Sequence, residues 1–331
     1  MKNPKTFLFS LILSSLSVTN VFSQINTEVE TKLTSEKQKT IIQNFSDSLT
    51  KHYFFQDSAK MIAEKLNFEY NNGAFSEIKD DSLFAVSVTK FVRTIVSDNH
   101  LGLKYRKNFQ PPMPSRPREN NPPENQEPAP NSPVPIEFKI LENNIGYLKI
   151  DMFDEQPSFY EKIGEAFQIL KSSNALIIDL SKCRGGSPRA NNFLISHLLP
   201  PKTQLTSIFN LRNGEPFEFK VFTFDSLKSE RYIDKPVFLI TGEMTFSSGE
   251  SFCYDLQVLK RATVVGVNTK GGANPGREFK VGDFYVAFIP TGRSFNHITK
   301  SNWEGVGIIP DILVNEEEAL VKAIFLANEK N

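Results

Sequence analysis

Three short segments of this chain combine residue types that could do chemistry. The first, Thr245-Phe246-Ser247-Ser248-Gly249-Glu250, joins the apolar run Val237 to Thr241 to a stretch with Phe252, Leu256 and Leu259 on one helical face. A serine at such a junction exposes its hydroxyl. The N–H of the next residue then emerges from a helix N-terminus, where unpaired N–H groups and the helix dipole favour an oxyanion. Taken alone, this hexapeptide reads first as a helix cap at Ser247 or Ser248. The second segment, Asp179-Leu180-Ser181-Lys182-Cys183-Arg184-Gly185-Gly186, follows the buried-type run Ala175 to Leu180. Its paired glycines would let backbone N–H groups approach a ligand closely, although a Gly-Gly turn also serves simply to reverse a chain. The third, Asn302-Trp303-Glu304-Gly305-Val306-Gly307-Ile308-Ile309-Pro310-Asp311-Ile312, contributes the carboxylate of Glu304.

A serine nucleophile needs a base, and the chain has four histidines. His52 lies in a polar-aromatic turn, and His197 shares a helix face with Phe193 and Leu194, as a core histidine would. His100, in Ser97-Asp98-Asn99-His100-Leu101, and His297, seven residues before Glu304, remain as candidates. No His/Cys/Asp/Glu grouping has metal-ligand spacing and no glycine-rich phosphate loop occurs, so neither metal nor cofactor is expected. The 38 basic residues balance 38 acidic ones, which removes the electrostatic footprint of a nucleic-acid binder. Two cysteines cannot make a disulfide framework or a four-cysteine zinc site. Cys183 and Cys253 do flank the two proposed site loops, so a disulfide between them stays open.

The elements that must position these groups fall into two kinds. Residues 30 to 105 read as helices: Ser35 with Gln38 forms a capping box ahead of Ile41, Ile42, Phe45 and Leu49, and two further stripes run Ala59-Ile62-Ala63-Leu66 and Phe84-Val88-Phe91-Val92-Ile95. From Ile145 onward strands alternate with helices. Strands are expected at Ile145–Ile150, Ala175–Leu180, Val237–Thr241, Thr263–Val267 and Phe284–Ile289, with helices through Phe159–Leu170 and Ser248–Lys260. Between Pro111 and Pro135 lie ten of the twenty prolines, and so hydrophilic a stretch reads as an extended linker. At the N-terminus, Lys2 and Lys5 precede the apolar run Phe7 to Val18, and Val21-Phe22-Ser23 offers a small-residue cleavage site before Gln24. That is the plan of a cleaved secretory signal, which predicts a periplasmic or extracellular protein with no membrane span after processing. The expected domains are residues 1–23 (signal), 24–108 (helical), 109–135 (linker), 136–316 (α/β catalytic core) and 317–331 (C-terminal helix or tail).

Taken together the segments resemble the S41 serine peptidases, which include the C-terminal processing (tail-specific) and tricorn proteases. The resemblance runs from about Ile145 to Val314 and, more loosely, over the N-terminal helices. It rests on Asp-Leu-x-x-x-x-Gly-Gly, Thr-x-Ser-x-x-Glu, Arg261-Ala262-Thr263-Val264-Val265-Gly266 and Glu-Gly-Val-Gly with Pro-Asp-Ile, in that family's order and spacing. It implies an α/β core of ClpP/crotonase-like β-β-α units and hydrolysis of peptide bonds. The catalytic group it implies is Ser247, His100 and Glu304, with Gly185, Gly186 and Ser248 as the backbone oxyanion hole. The processing-protease branch uses a lysine 25 residues after the serine, which here is Gly272, two residues beyond Lys270. The chain is therefore more similar to the tricorn-like and retinoid-binding-protein-like branch, whose base is a histidine from the N-terminal region. In that branch a serine beside the histidine links it to the glutamate; Asn99 stands there instead. The gap from Arg106 to Ile136 is too short and proline-rich for the PDZ domain of the processing proteases. A non-catalytic ligand-binding or scaffold module on the same fold is the alternative to a peptidase.

Overall fold

The computed structural model describes residues 33–107 and 136–329. The expected signal segment and the whole of the proline-rich linker lie outside these residues. From Leu33 onward the chain forms one compact unit.

Three helices open it: α1 (Ser35–His52), α2 (Gln56–Asn71) and α3 (Asp81–Ile95). The apolar stripes expected from the sequence are the buried faces, with Ile41, Ile42, Phe45 and Leu49 against Ala59, Ile62, Leu66, Phe84 and Val88. The cap of α1 sits one residue earlier than the capping-box reading. Thr34 Oγ1 accepts from the Lys37 N–H, and Gln38 is instead buried and donates to the Phe75 and Ile78 carbonyls. A short polar side chain at the cap competes locally, and the threonine wins because Gln38 finds tertiary acceptors.

The core is a mixed sheet of six strands: β2 (Ile136–Leu141), β3 (Ile145–Ile150), β4 (Ala175–Asp179), β7 (Val237–Thr241), β8 (Thr263–Gly266) and β12 (Ile312–Leu313). Their order is β12-β8-β7-β4-β3-β2, parallel throughout except for the β2–β3 pair. Both faces are covered, as parallel strands require, and the alternation along each strand sorts its side chains. Leu148, Leu176, Ile178 and Leu239 face helices α4 (Pro157–Leu170), α5 (Pro188–Ser196) and α6 (Ser248–Val258). Tyr147, Ile177, Phe238 and Ile240 face the C-terminal helix α7 (Ala319–Glu329), which packs through Ala319, Ala323 and Ala327. Small residues at four-residue spacing give α7 a smooth stripe, so its backbone approaches the sheet closely.

Two smaller antiparallel sheets complete the unit. One pairs β5 (Ser207–Arg212) with β6 (Glu215–Phe219) and β11 (Gly292–Phe295). The other orders β1 (Gly102–Tyr105), β10 (Tyr285–Pro290) and β9 (Gly276–Lys280). The last sheet matters most, because it joins the two halves of the sequence. β1 follows the N-terminal helices and pairs with β10 in the register Gly102↔Phe288, while Val281, Tyr285, Ala287 and Ile289 bury themselves among α1 and α3. The N-terminal helices and the α/β part thus share one hydrophobic core and one sheet.

Candidate active site

Ser247 sits where β7 ends and α6 begins. The turn leading to it is stitched to the loop after β4: Thr245 Oγ donates to the Leu180 carbonyl (2.8 Å), and the Phe246 N–H donates to the Cys183 carbonyl (3.0 Å). Ser247 itself has φ +56° and ψ −118°. Such a backbone costs of order 1–3 kcal/mol in a non-glycine residue and persists only where its surroundings hold it. The holder is Glu250, fully buried on the first turn of α6. It accepts from the Ser247 N–H (2.8 Å), the Thr269 hydroxyl, and the N–H groups of Gly271 (2.6 Å) and Gly272 (2.9 Å). Burial raises its pKa and those donors pull it back.

The glycine pair lies directly against this elbow. A Cβ on Gly185 would come 2.8 Å from Ser247 Cβ and 2.9 Å from the Phe246 oxygen, and Gly186 is bridged to Phe153, whose oxygen lies 2.2 Å from its would-be Cβ. Both have positive φ, +98° and +121°. No side chain fits either place. Ser248 Oγ donates to the Gly186 carbonyl, which ties the two loops together. Among the described residues the N–H groups of Gly186 and Ser248 have no protein acceptor. The Gly185 N–H sits against the Cys183 sulfur, a thiol that burial pushes up to about 12.

His100 reaches the same place from the N-terminal half. It follows α3 in a bend closed by Asp98, whose Oδ1 accepts from the His100 (3.1 Å) and Leu101 (3.3 Å) N–H groups. β1 starts two residues later, so its pairing with β10 sets the imidazole on Phe288, with ring centroids 5.5 Å apart and planes 27° apart. Phe246, the residue before Ser247, lies on it at 4.6 Å. Gly272 is packed against both rings: a Cβ there would meet His100 Cε1 at 2.9 Å. The space a side chain at Gly272 would enter is thus filled first by the Phe246 ring and then by the imidazole. Burial, and then Arg93 and Lys104, lower the His100 pKa to about 4, and its buried Nδ1 has no hydrogen-bond partner.

Glu304 completes the group. Its Oε1 accepts from the Asn99 N–H (3.1 Å) and its Oε2 from the Ala273 (2.6 Å) and Asn274 (2.9 Å) N–H groups. Burial, and then the nearby Asp98, raise its pKa to about 7. One ring nitrogen of His100 and one carboxylate oxygen each of Asp98 and Glu304 lie within 4.8 Å of one another. Sequence spacing gave no sign of this cluster, because its members are assembled from opposite ends of the chain. It has the size of a metal site. Its carboxylates, however, are already engaged by four donors at Asp98 and three at Glu304, the chemistry of anions held by amides. Asn99 does not replace the family's linking serine with its side chain, which instead donates to the Lys270 (2.7 Å) and Gly271 (3.1 Å) carbonyls. Asn99 reaches Glu304 through its backbone.

Ser247, His100, Gly186 and Ser248 line one cleft of about 450 Å³, walled further by Phe288 and Trp303. The other candidates lie elsewhere. His297 accompanies Glu218 (2.7 Å) and Ser207 (3.1 Å) on the β5–β6–β11 sheet, outside the cleft lining. Lys270 is exposed. His197 is buried between the Phe193 carbonyl and Ser229, and His52 stacks on Phe279. Cys183 and Cys253 are both free, buried thiols. Sequence reasoning missed Asp98, Phe246 and Glu250 as organisers of the site. The Ser-x-x-Glu spacing was the available signal for Glu250, since it places that carboxylate one turn from the serine.

Comparison with known proteins places the chain in a family. The sequence model of Peptidase family S41 matches residues 144–314, and that of the N-terminal domain of Peptidase_S41 in eukaryotic IRBP matches residues 29–140. Among solved structures the fold is similar to a candidate peptidase from Parabacteroides merdae (TM-score 0.61, 16% identity, covering 88% of this chain and 96% of that one). It is also similar to a lipoprotein from Streptococcus agalactiae (0.58, 17%, 89% and 97%). The photosystem II D1 C-terminal processing protease is a further neighbour (0.52, 13%, 86% and 94%). With the first of these models spanning more than half of its residues, the chain belongs to peptidase family S41 and is a serine peptidase.

Proposed function

We propose that this chain is an exported peptidase in which Ser247 is the nucleophile, His100 its general base and Glu304 the carboxylate that backs the imidazole. The observation that carries the reading is convergence. A serine on a strained strand-to-helix elbow and a histidine delivered by the N-terminal half open onto one cleft, with Glu304 within 4.8 Å of the ring.

The chemistry follows from the geometry. With a pKa near 4, His100 is neutral at neutral pH and able to accept a proton. It takes the proton of Ser247 Oγ as that oxygen attacks a peptide carbonyl. The oxyanion that develops meets the unengaged N–H groups of Gly186 and Ser248 at the positive end of α6. Gly185 contributes by letting the loop pass within contact distance of Ser247. His100 then returns its proton to the leaving amine, and water repeats the cycle on the acyl-enzyme. The imidazolium formed midway is stabilised by the carboxylate beside it.

Labelling with a serine-directed fluorophosphonate tests the assignment: wild type labels and Ser247→Ala does not. Equal labelling of both would overturn it. The compartment rests on residues 1–23; sequencing of the mature N-terminus is expected to find Gln24 or a near neighbour. An intact Met1 on protein recovered from the cytoplasm would refute export.

A further inference from the structure

We propose that Asp98 is a positioning residue of this centre: it holds the turn that presents His100 and shares with Glu304 the negative charge that receives the imidazolium. The proposal rests on the reading of Ser247 and His100 given above.

Asp98 is only 2% exposed. Oδ1 takes the His100 and Leu101 N–H groups, and Oδ2 takes the Tyr53 hydroxyl (3.0 Å) and Asn274 Nδ2 (3.1 Å). One side chain therefore ties the end of α1, the His100 turn and the loop that carries the Ala273 and Asn274 amides to Glu304. Among the described residues no cation reaches ion-pair distance of Asp98. Its neighbour Arg93 is engaged by the Leu101 and Asn99 carbonyls. A carboxylate buried without a cation is expensive, and a turn could be closed by a neutral amide at lower cost. Four donors hold that charge in the resting protein, and the imidazolium formed during the reaction is the cation it serves. The buried Nδ1 of His100 lacks a partner, and a ring nitrogen lies within 4.8 Å of both Asp98 and Glu304.

The charged groups around the ring are Arg93 from α3, Lys104 from β1, Asp98 and Glu304; the faces packed on it, Phe246 and Phe288, are apolar. The two cations disfavour the imidazolium, so the carboxylates alone support it. Each can serve when the other is lost. Removing both strands the developing cation in a buried site.

The test uses the full chain with Asp98→Asn, Glu304→Gln and the double variant. The readouts are the fluorophosphonate labelling rate of Ser247 across pH and the thermal midpoint. Asp98→Asn is expected to fold, because Asn274 Oδ1 is buried without a partner and rotation of that amide lets it accept from the new side chain. Labelling should slow about 10–100-fold in each single variant, the acid limb of Asp98→Asn should move to lower pH, and the double variant should lose more than the product of the two. Wild-type rate and acid limb in Asp98→Asn, or losses that simply multiply, would overturn the proposal. Should Asp98→Asn not fold, Tyr53→Phe and Asn274→Ala decide, since each strips one donor from Oδ2. Both must slow labelling several-fold, and wild-type rates in both would refute it. If labelling depends on Ser247 and His100 but ignores Asp98, only this inference falls. If Ser247→Ala labels like wild type, the underlying reading falls.

Discussion

Gly272 lies under the two rings that set the active-site geometry, so adding one methyl group there should damage catalysis far more than folding. An ideal Cβ at this position would sit 2.3 and 2.4 Å from two ring carbons of Phe246 and 2.9 Å from His100 Cε1. Non-bonded carbons rest at about 3.5–4.0 Å, so the Phe246 ring must retreat by roughly 1 Å, and His100, packed against it at 4.6 Å, must follow. The Gly272 backbone is not in the left-handed region, so Gly272→Ala introduces crowding without backbone strain. Overpacking of this kind costs about 1–3 kcal/mol of stability, a loss of several degrees in thermal midpoint. A displacement of about 1 Å in a catalytic group costs on the order of 10²-fold in rate. The expected result is therefore a folded protein whose Ser247 reacts with a fluorophosphonate about 100-fold more slowly. Gly164→Ala is the control, because nothing lies within 4 Å of a Cβ there. A Gly272→Ala protein that labels at the wild-type rate would show that the contact between Gly272, Phe246 and His100 does not set the reacting geometry.

Further outcomes follow from the site and from the buried titratable groups. His100→Ala should reduce peptidase activity by roughly three or more orders of magnitude, whereas Lys270→Ala, exposed and outside the cleft lining, should leave kcat/KM within about twofold. Glu304 is raised to about 7 in the folded state, so the fold binds an extra proton between about pH 4.5 and 7 and loses stability as pH rises through 7. Glu304→Gln should flatten that decline in a thermal-midpoint series, by at most about 3 kcal/mol and less after solvent screening. His100 and His197, both lowered to about 4, act the other way: their stabilising effect is present above about pH 6.5 and is lost as pH falls toward 4. Glu250→Gln turns an acceptor of four hydrogen bonds into a partial donor. It should cost about 3 kcal/mol or more and abolish labelling of Ser247, read by thermal denaturation and by the fluorophosphonate assay.

Periodicity made the helices and the central strands legible. Ile41, Phe45 and Leu49 share a helical face, and Ala175 to Asp179 is buried on both sides, whatever the rest of the chain does. Short antiparallel pairs were not legible in the same way. Strand β1 has four residues, and nothing in Gly102-Leu103-Lys104-Tyr105 announces a partner at Tyr285 to Phe288. Its pairing is a matter of long-range register, which local pattern does not encode.

The site divides along the same line. Residue type and local spacing were enough to single out Ser247 at a strand-to-helix junction and the Gly185-Gly186 pair; the role of Glu250 was not read, although its Ser-x-x-Glu spacing sets it one turn beyond the serine. The clustering of Asp98, His100 and Glu304 was decided only by tertiary structure. Those residues come from opposite ends of the chain, and they meet because β1 joins β10 and the loop from Thr269 to Asn274 threads between Glu250, Glu304 and Asp98. Tertiary structure also placed His297 beside Glu218 on another sheet, outside the cleft lining, and turned the Asn99 side chain away to the Lys270 and Gly271 carbonyls. Local chemistry follows from neighbours in sequence; a shared proton needs neighbours in space.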